Sequence, residues 1–439
     1  MRNLIILLCL FYSLQPVAQA NYYDDDGCDA GKRPIVFVHG FLGSGDNWAL
    51  QMQRFSSNGY CNQRMFLFDW NTINRNKATD SLLNDFIDEV LRKTKATQVD
   101  LMAHSAGGVL CYSYLNDSLH ALKVAHYIHI GSGKMKTAAG KNAEVKTMNI
   151  YSKADNVVKT GGAIPGAVNV VLTSADHMQV ATSEETFIHL YQFLNDNQSP
   201  KTTKIISPDN PNRSVGLSGK GLTLGENIPL GLDSFIVYIF NPKTGKRNLI
   251  ERNKSSYGAY TGWTKFAKDG SFSFAITTKS YFEFEVRPKN GRTVYYFFEP
   301  LKRTNNAVYV RTFPSSGMIA GVLSQIPRDE QQTALVIFSS NNAVVAGRDT
   351  LAIDSIPIST QALAPASKTM ISVFLFDDKN DSISTCNPIK AFSGLPFLGS
   401  ADIRIPADKN GTMRIYYNGR TMVLPRRPSS DGVIIAVFQ

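Results

Sequence analysis

No stretch of this 439-residue chain is apolar over the ~20 residues that a membrane-spanning helix needs. The longest apolar run, LIILLCLFYSL, reaches about half of that length. Arg2 precedes it and Ala18-Gln19-Ala20 follows it as a small-residue cleavage site, so residues 1–20 read as a secretory signal peptide cut before Asn21. Cysteines are scarce, at five, and Cys9 sits inside the apolar run, not just after a small-residue cleavage site, which argues against a lipoprotein anchor. No C-x-x-C pair or His/Cys cluster has zinc spacing. Export permits disulfides. Cys28 and Cys61 flank the first strand–loop unit and are the expected pair, while Cys111 fits a buried thiol on a helix. Charged residues are only 19% against 43% hydrophobic, which excludes a disordered chain.

The charge that is present is unevenly placed. The net charge is +10. Residues 1–200 hold 17 Lys and Arg against 18 Asp and Glu, and residues 201–439 hold 29 against 18. The positive half is suited to peripheral contact with an anionic lipid interface. Lysines that guard the edges of a β region against aggregation account for the same excess. Asp24–Asp26 reads as a solvated charge run in preference to a calcium site.

Residues 34–195 alternate strand and helix. PIVFVHG (34–40), MFLFDW (65–70), QVDLMAH (98–104), VAHYIHI (124–130), MNIYS (148–152) and VNVVLT (168–173) are strand-like. SLLNDFIDEVLRKTKA (81–96) puts Leu82, Leu83, Phe86, Ile87, Val90 and Leu91 on one helical face. AGGVLCYSYLND (106–117) and TSEETFIHLYQFLND (182–196) are further helices, the second opened by a Thr182/Glu185 capping box. This alternation predicts a mostly parallel sheet covered on both faces. Polar DNQSPKTTK (196–204) marks a linker. Beyond it come short strand-like runs separated by NPKTG, KDG, KNG and SSDG, without a long helix. The expected division is an α/β unit over 21–198, a linker over 199–205, and one or two antiparallel β-sandwich or β-barrel units over 206–314 and 315–439.

LMAHSAGGVL (101–110) carries the chemistry. Ser105 lies between a strand and a helix, with Gly107 and Gly108 as the small neighbours that a tight turn requires. Ala103 stands where the pattern G-x-S-x-G has its first glycine. A serine hydroxyl needs a base, and the chain offers seven histidines. His39 and His104 end strands, His126 and His129 lie within one, His120 is in a helix–strand loop and His189 is inside a helix. His177 follows the last strand, in the loop SADHMQ, at the carboxyl end of the sheet where ligands bind. Asp155, after strand MNIYS, is the expected carboxylate. Asp176 is its competitor, but adjacent residues seldom point at each other. Asp69 and Asp100 belong to other strands. The N–H groups of Phe41, after VHG, and of Ala106 are the expected oxyanion donors. The order Ser105…Asp155…His177 is that of α/β-hydrolases. Segments 71–80 and 131–146 are the candidates for a lid, and both are short and polar.

PIVFVHGFLGS, VDLMAHSAGG, IYSKADNVV and SADHMQV together resemble secreted bacterial lipases of the class 2 triacylglycerol lipase family, some of which have alanine before the histidine–serine pair. The resemblance covers residues 32–195. It implies an α/β-hydrolase fold, nucleophile Ser105, acid Asp155, base His177, and oxyanion amides at Phe41 and Ala106. The two-part layout also resembles lipases with an appended C-terminal β-barrel for lipid binding. The expectation is a secreted monomer acting on lipid or ester substrates, with no cofactor, metal or nucleic-acid partner. The rivals are a short-chain esterase, polyesterase or acyltransferase, and an exported binding protein with an inactive hydrolase unit. Removal of residues 205–439 is expected to lower activity on long-chain esters more than on short soluble ones.

Overall fold

The structure is a computed structural model that describes residues 27–207, 214–249 and 262–439. Residues 1–20, expected from the sequence to be a signal peptide, and Asp24–Asp26 lie outside the described residues.

The first sheet is wholly parallel. Its strands are β1 (Ile35–Val38), β2 (Met65–Phe68), β3 (Val99–His104), β4 (Val124–Ile130), β5 (Lys146–Ser152) and β6 (Val168–Leu172), in the order β2-β1-β3-β4-β5-β6. The chain runs from β1 outward to β2, then returns to the other side of β1 as β3. That reversal opens a crevice beyond the carboxyl ends of β1 and β3. Helices α1 (Ala49–Ser57), α2 (Lys77–Thr94), α3 (Ala106–Leu115), α4 (Ser118–Ala121), α5 (Gln179–Thr182) and α6 (Glu184–Leu194) complete the unit. Strand side chains alternate between two cores. Ile35 and Phe37 join Phe55 and Phe187 in one, and Val36 and Val38 join Leu83 and Ile87 in the other. Both faces are therefore apolar, as a covered parallel sheet requires.

Two helix details differ from the sequence reading. α2 begins at Lys77, capped by Asn76, whose side chain accepts from the Ala78 amide. Leu83, Ile87 and Val90 form its buried stripe, whereas Leu82 is 58% exposed. Ser183, not Thr182, caps α6 by accepting from the Thr186 amide. Thr182 ends α5 and donates to the Asn341 carbonyl.

The rest is a β region. One three-stranded sheet has the order β11-β7-β14, from β7 (Ser214–Thr223), β11 (Ser271–Thr277) and β14 (Asn305–Thr312). A nine-stranded sheet holds β8 (Ser234–Phe240), β9 (Arg247–Leu249), β10 (Thr264–Lys265), β12 (Tyr281–Arg287), β13 (Val294–Phe298), β15 (Leu335–Ser339), β18 (Ser372–Phe376), β19 (Leu398–Asp402) and β22 (Val433–Phe438). A four-stranded sheet holds β16 (Leu351–Ile353), β17 (Ile356–Pro357), β20 (Asp408–Tyr417) and β21 (Arg420–Arg426). A short helix, α7 (Gly317–Leu323), follows β14. The nine-stranded sheet is the middle layer. Val294, Tyr296 and Phe298 face the core shared with Leu217 and Phe274 of the three-stranded sheet, while Tyr295 and Phe297 face the core shared with Ile415 and Leu424 of the four-stranded one.

The three-stranded and nine-stranded sheets are mixed, whereas the four-stranded one is antiparallel throughout. β22 runs parallel between β13 and β15, and β14–β7 and β18–β19 are also parallel. Period-two patterning reports which face a side chain takes, not the direction of its neighbour, so the sequence carried no signal for this. The β13–β22 pairing runs across the 314/315 division, so hydrogen bonding joins the two stretches. The 199–205 segment is hydrogen-bonded to the N-terminal unit. Thr202 and Thr203 carbonyls accept from Asn58 and Arg54 of the N-terminal unit. Leu222, Ala307 and Tyr309 of the β region enter the core of the N-terminal unit, and Leu42 enters the β-region core.

Cys28 and Cys61 are disulfide-bonded, with Cα atoms 5.0 Å apart. Cys111 is a buried free thiol and Cys386 a half-buried one.

Candidate active site

β3 delivers Ser105 into the crevice through a turn that few residues adopt. Its φ of 55° and ψ of −124° lie outside the regions ordinary side chains favour. The surroundings impose this. The Ser105 amide donates to the Ile130 carbonyl at 2.9 Å and the Ser132 hydroxyl donates to the Ser105 carbonyl at 2.8 Å. The two glycines after it answer to close approaches. A Cβ at position 107 would lie 2.5 Å from the His39 carbonyl oxygen, and one at position 108 would lie 2.6 Å from Ser132 Oγ. Ala103 is fully buried in β3, two residues before the turn, so its methyl is accommodated.

The crevice brings together three residues far apart in sequence. His177 Nε2 is 3.0 Å from Ser105 Oγ, and His177 Nδ1 is 2.7 Å from Asp155 Oδ2. Asp155 Oδ1 accepts from the Val157 and Val158 amides at 2.8 and 2.9 Å. Burial works to raise the Asp155 pKa, but the hydrogen bond and charge of His177, with those amides, outweigh it and hold the carboxyl below its usual value. An ionised Asp155 only accepts, so His177 Nδ1 carries the proton and Nε2 is left to accept from the Ser105 hydroxyl.

The other carboxylates and histidines weighed from the sequence separate cleanly by partner. Asp176 turns away from the imidazole. One oxygen accepts from the Met178 and Gln179 amides, and the other pairs with Arg348 at 2.9 Å. Asp100 binds Arg33 and His126. Asp69 accepts from Gly45, Lys220 and Tyr309. His104 Nε2 bonds to the His177 carbonyl at 2.9 Å, so it holds the loop that presents His177. Burial above all, then the neighbouring His177, pushes its pKa down to about 3. His39, buried, is pushed down to about 4, with Nδ1–H donating to the Gly40 carbonyl. Both are neutral supports.

Phe41 and Ala106 follow β1 and Ser105 on the two sides of the crevice. Among the described residues, no carbonyl or side chain accepts from either amide. Gly40 sits against the serine, since a Cβ there would lie 2.8 Å from Ser105 Cβ.

Other neighbours had no sequence signal. Phe397, just before β19, stacks on the His177 ring. It also lines a cavity of about 60 Å³ with Leu42, Leu224, Phe313, Phe338 and Phe374. Asn156, next to Asp155, donates to the Ala366 carbonyl at 2.9 Å. Ser105, Asp155 and His177 are all buried. No group of three or more metal-ligating side chains occurs among the described residues.

Residues 32–116 match the family model of class 2 lipases. A second model, described as a C-terminal domain, matches residues 321–438. Among solved structures, the mature Bacillus licheniformis lipase BlEst2 is similar over 38% of this chain and 94% of its own, at 18% identity and a TM-score of 0.32. Aspergillus fumigatus lipase B is similar over 39% of this chain but only 54% of its own length, at 14% identity and a TM-score of 0.32. An esterase from a Rhodococcus species, RhEst1, covers 39% and 93%, at 11% identity and a TM-score of 0.31. Likeness this distant says nothing of substrate. The class 2 lipase match, together with the parallel sheet and the serine turn, makes the N-terminal unit a carboxylic ester hydrolase of the α/β-hydrolase class. The match ends before Asp155 and His177, which stand on geometry alone.

Proposed function

We propose that this protein is a secreted lipase that hydrolyses acylglycerols or long-chain acyl esters through Ser105, His177 and Asp155, and that the β region supplies the apolar wall for the acyl chain. The observation that carries this reading is the hydrogen-bonded series Ser105–His177–Asp155 at the crevice between β1 and β3. Ser105 Oγ attacks the ester carbonyl while His177 Nε2 takes its proton, and Asp155 stabilises the imidazolium. The Phe41 and Ala106 amides receive the oxyanion. His177 then protonates the leaving alcohol and activates water to release the acid.

The lipid side of the reading is supported by the cavity. Phe397 touches both His177 and the cavity, whose wall is mostly aromatic and aliphatic. Export is supported by the Cys28–Cys61 disulfide and the residue pattern of positions 2–20. The small size of the cavity, about 60 Å³, favours as a second reading a short-chain esterase. Initial rates on 4-nitrophenyl esters from acetyl to palmitoyl separate the two. A lipase rises toward octanoyl and beyond and acts on emulsified triacylglycerol. A sharp maximum at acetyl or butyryl overturns the lipase reading.

A further inference from the structure

The oxyanion loop owes its shape to the β region. The segment that leaves β1, residues 39–46, is HGFLGSGD, with glycine at 40, 43 and 45. Leu42 has a φ of 58°, a conformation that persists only where the surroundings impose it. Such a segment has little structure of its own.

Its fixed points come from elsewhere. The Leu42 amide donates to Thr72 Oγ1 at 3.0 Å, and both the amide and the hydroxyl of Thr72 donate to the Gly225 carbonyl. The Gly43 carbonyl accepts from Asn227 Nδ2 at 2.9 Å. The same amide nitrogen donates to the Trp70 carbonyl at 2.9 Å and lies 3.3 Å from His39 Nε2. Ser44 Oγ accepts from Arg311 Nε at 2.9 Å, and Arg311 Nη2 pairs with Asp46. The Gly45 amide donates to Asp69, which Lys220 and Tyr309 hold from β7 and β14. Asn227, Arg311, Ser44 and Asp46 are buried or nearly so, so these bonds are shielded from water.

We propose that Asn227 and Arg311 are positioning residues that set the Phe41 amide of the oxyanion site, so that the β region is part of the catalytic machinery for every ester, short or long. This rests on the reading of Ser105 as nucleophile and Phe41 as an oxyanion donor. It also changes the expectation for the β region. Its contribution is then not confined to long-chain or insoluble substrates, because the loop it holds serves the carbonyl common to all of them. Asn227 has a φ of 55°, which glycine adopts freely, so Asn227→Gly removes the clamp without straining the turn.

The test uses the full chain, with Asn227→Gly and Arg311→Lys assayed on soluble 4-nitrophenyl acetate beside Ser105→Ala. A displaced oxyanion donor lowers kcat by about 10- to 100-fold while KM stays within about threefold. Titration with an alkyl phosphonate ester should still count one reactive serine per chain, each reacting more slowly by a similar factor. Affinity for an alkyl boronic acid, whose adduct on Ser105 carries an oxyanion-like oxygen, should fall in parallel. A wild-type kcat in both variants overturns the proposal. So does a reduced count of reactive serines that each react at the wild-type rate, since that is partial unfolding. If Asn227→Gly does not fold, Arg311→Lys decides by the same readouts, because it retains the charge opposite Asp46. Activity surviving in Ser105→Ala instead overturns the underlying reading of the site.

Discussion

The ring of Phe397 in the β region lies nearly parallel to that of His177 in the hydrolase unit, ring centroids 5.9 Å apart and planes 13° from parallel. The catalytic imidazole of the proposed mechanism therefore forms part of an interdomain contact, and Phe397 continues from it into the apolar cavity.

That double role predicts a substrate-dependent defect. Phe397→Leu keeps an apolar wall but loses the ring face, and an aromatic pair contributes about 0.5–1.5 kcal/mol beyond area burial. For octanoyl and dodecanoyl esters kcat/KM should fall by about 10-fold, while acetyl ester hydrolysis falls by no more than about threefold. A uniform loss across chain lengths would show that Phe397 acts on His177 alone.

The two neighbouring carboxylates predict opposite outcomes. Asp155 faces His177 Nδ1, whereas Asp176 accepts from the Met178 and Gln179 amides and pairs with Arg348. Asp155→Asn should lower kcat by about 10⁴-fold, because the amide favours the wrong imidazole tautomer. Asp176→Asn should keep kcat within about threefold and cost stability of about 1 kcal/mol through the weakened amide hydrogen bonds and ion pair. Kinetics and thermal melts of the two variants, run side by side, check this. A larger kcat loss in Asp176→Asn would exchange their roles.

Sequence alone carried the hydrolase unit further than the β region, and the reason is physical. The nucleophile turn and the strand ends that carry Ser105, Asp155 and His177 are local features, each readable within about ten residues. Their convergence follows from the parallel sheet, because every carboxyl end opens on the same side. Asn227, Arg311 and Phe397 reach the site only through tertiary packing of a second region, and a Gly-Glu-Asn turn or a lone phenylalanine carries no mark of that. Leu82 was misplaced for a different reason. It adjoins Leu83, and a helical stripe wide enough to include both reads as apolar although only one faces the core.

The backbone at Ser105 predicts a trade between stability and activity. A serine held at φ 55° and ψ −124° stores roughly 1–3 kcal/mol of strain. Ser105→Gly relieves it and removes the nucleophile together. Hydrolysis should fall by at least about 10⁴-fold, and the melting temperature should rise by a few degrees. Ser105→Ala should be equally inactive without that gain, since alanine keeps the Cβ. Calorimetry of both variants tests the strain directly, and a lower melting temperature for Ser105→Gly than for Ser105→Ala would remove it from the account.

Buried neutral histidines predict an early onset of acid destabilisation. Burial depresses His39 and His129 to about 4, and His104 to about 3, from an ordinary value near 6.5. In the unfolded chain all three take up protons as the pH falls below about 6.5, while the folded protein excludes them until about 4 or lower. The unfolded state thus binds more protons across that window, so stability is full above pH 6.5 and falls as the pH drops toward 4. Each group contributes a slope of about 1.4 kcal/mol per pH unit once the unfolded form is fully protonated. Asp155, held below its ordinary value, adds a loss only at still lower pH. Urea unfolding between pH 7.5 and 4.5 should therefore show midpoints dropping before carboxylates titrate. Substituting His129, which bonds Tyr127 and the Gly133 carbonyl, by Gln should remove about one proton from the slope. A midpoint that is flat from pH 6.5 to 4.5 would mean that these rings are charged in the folded protein.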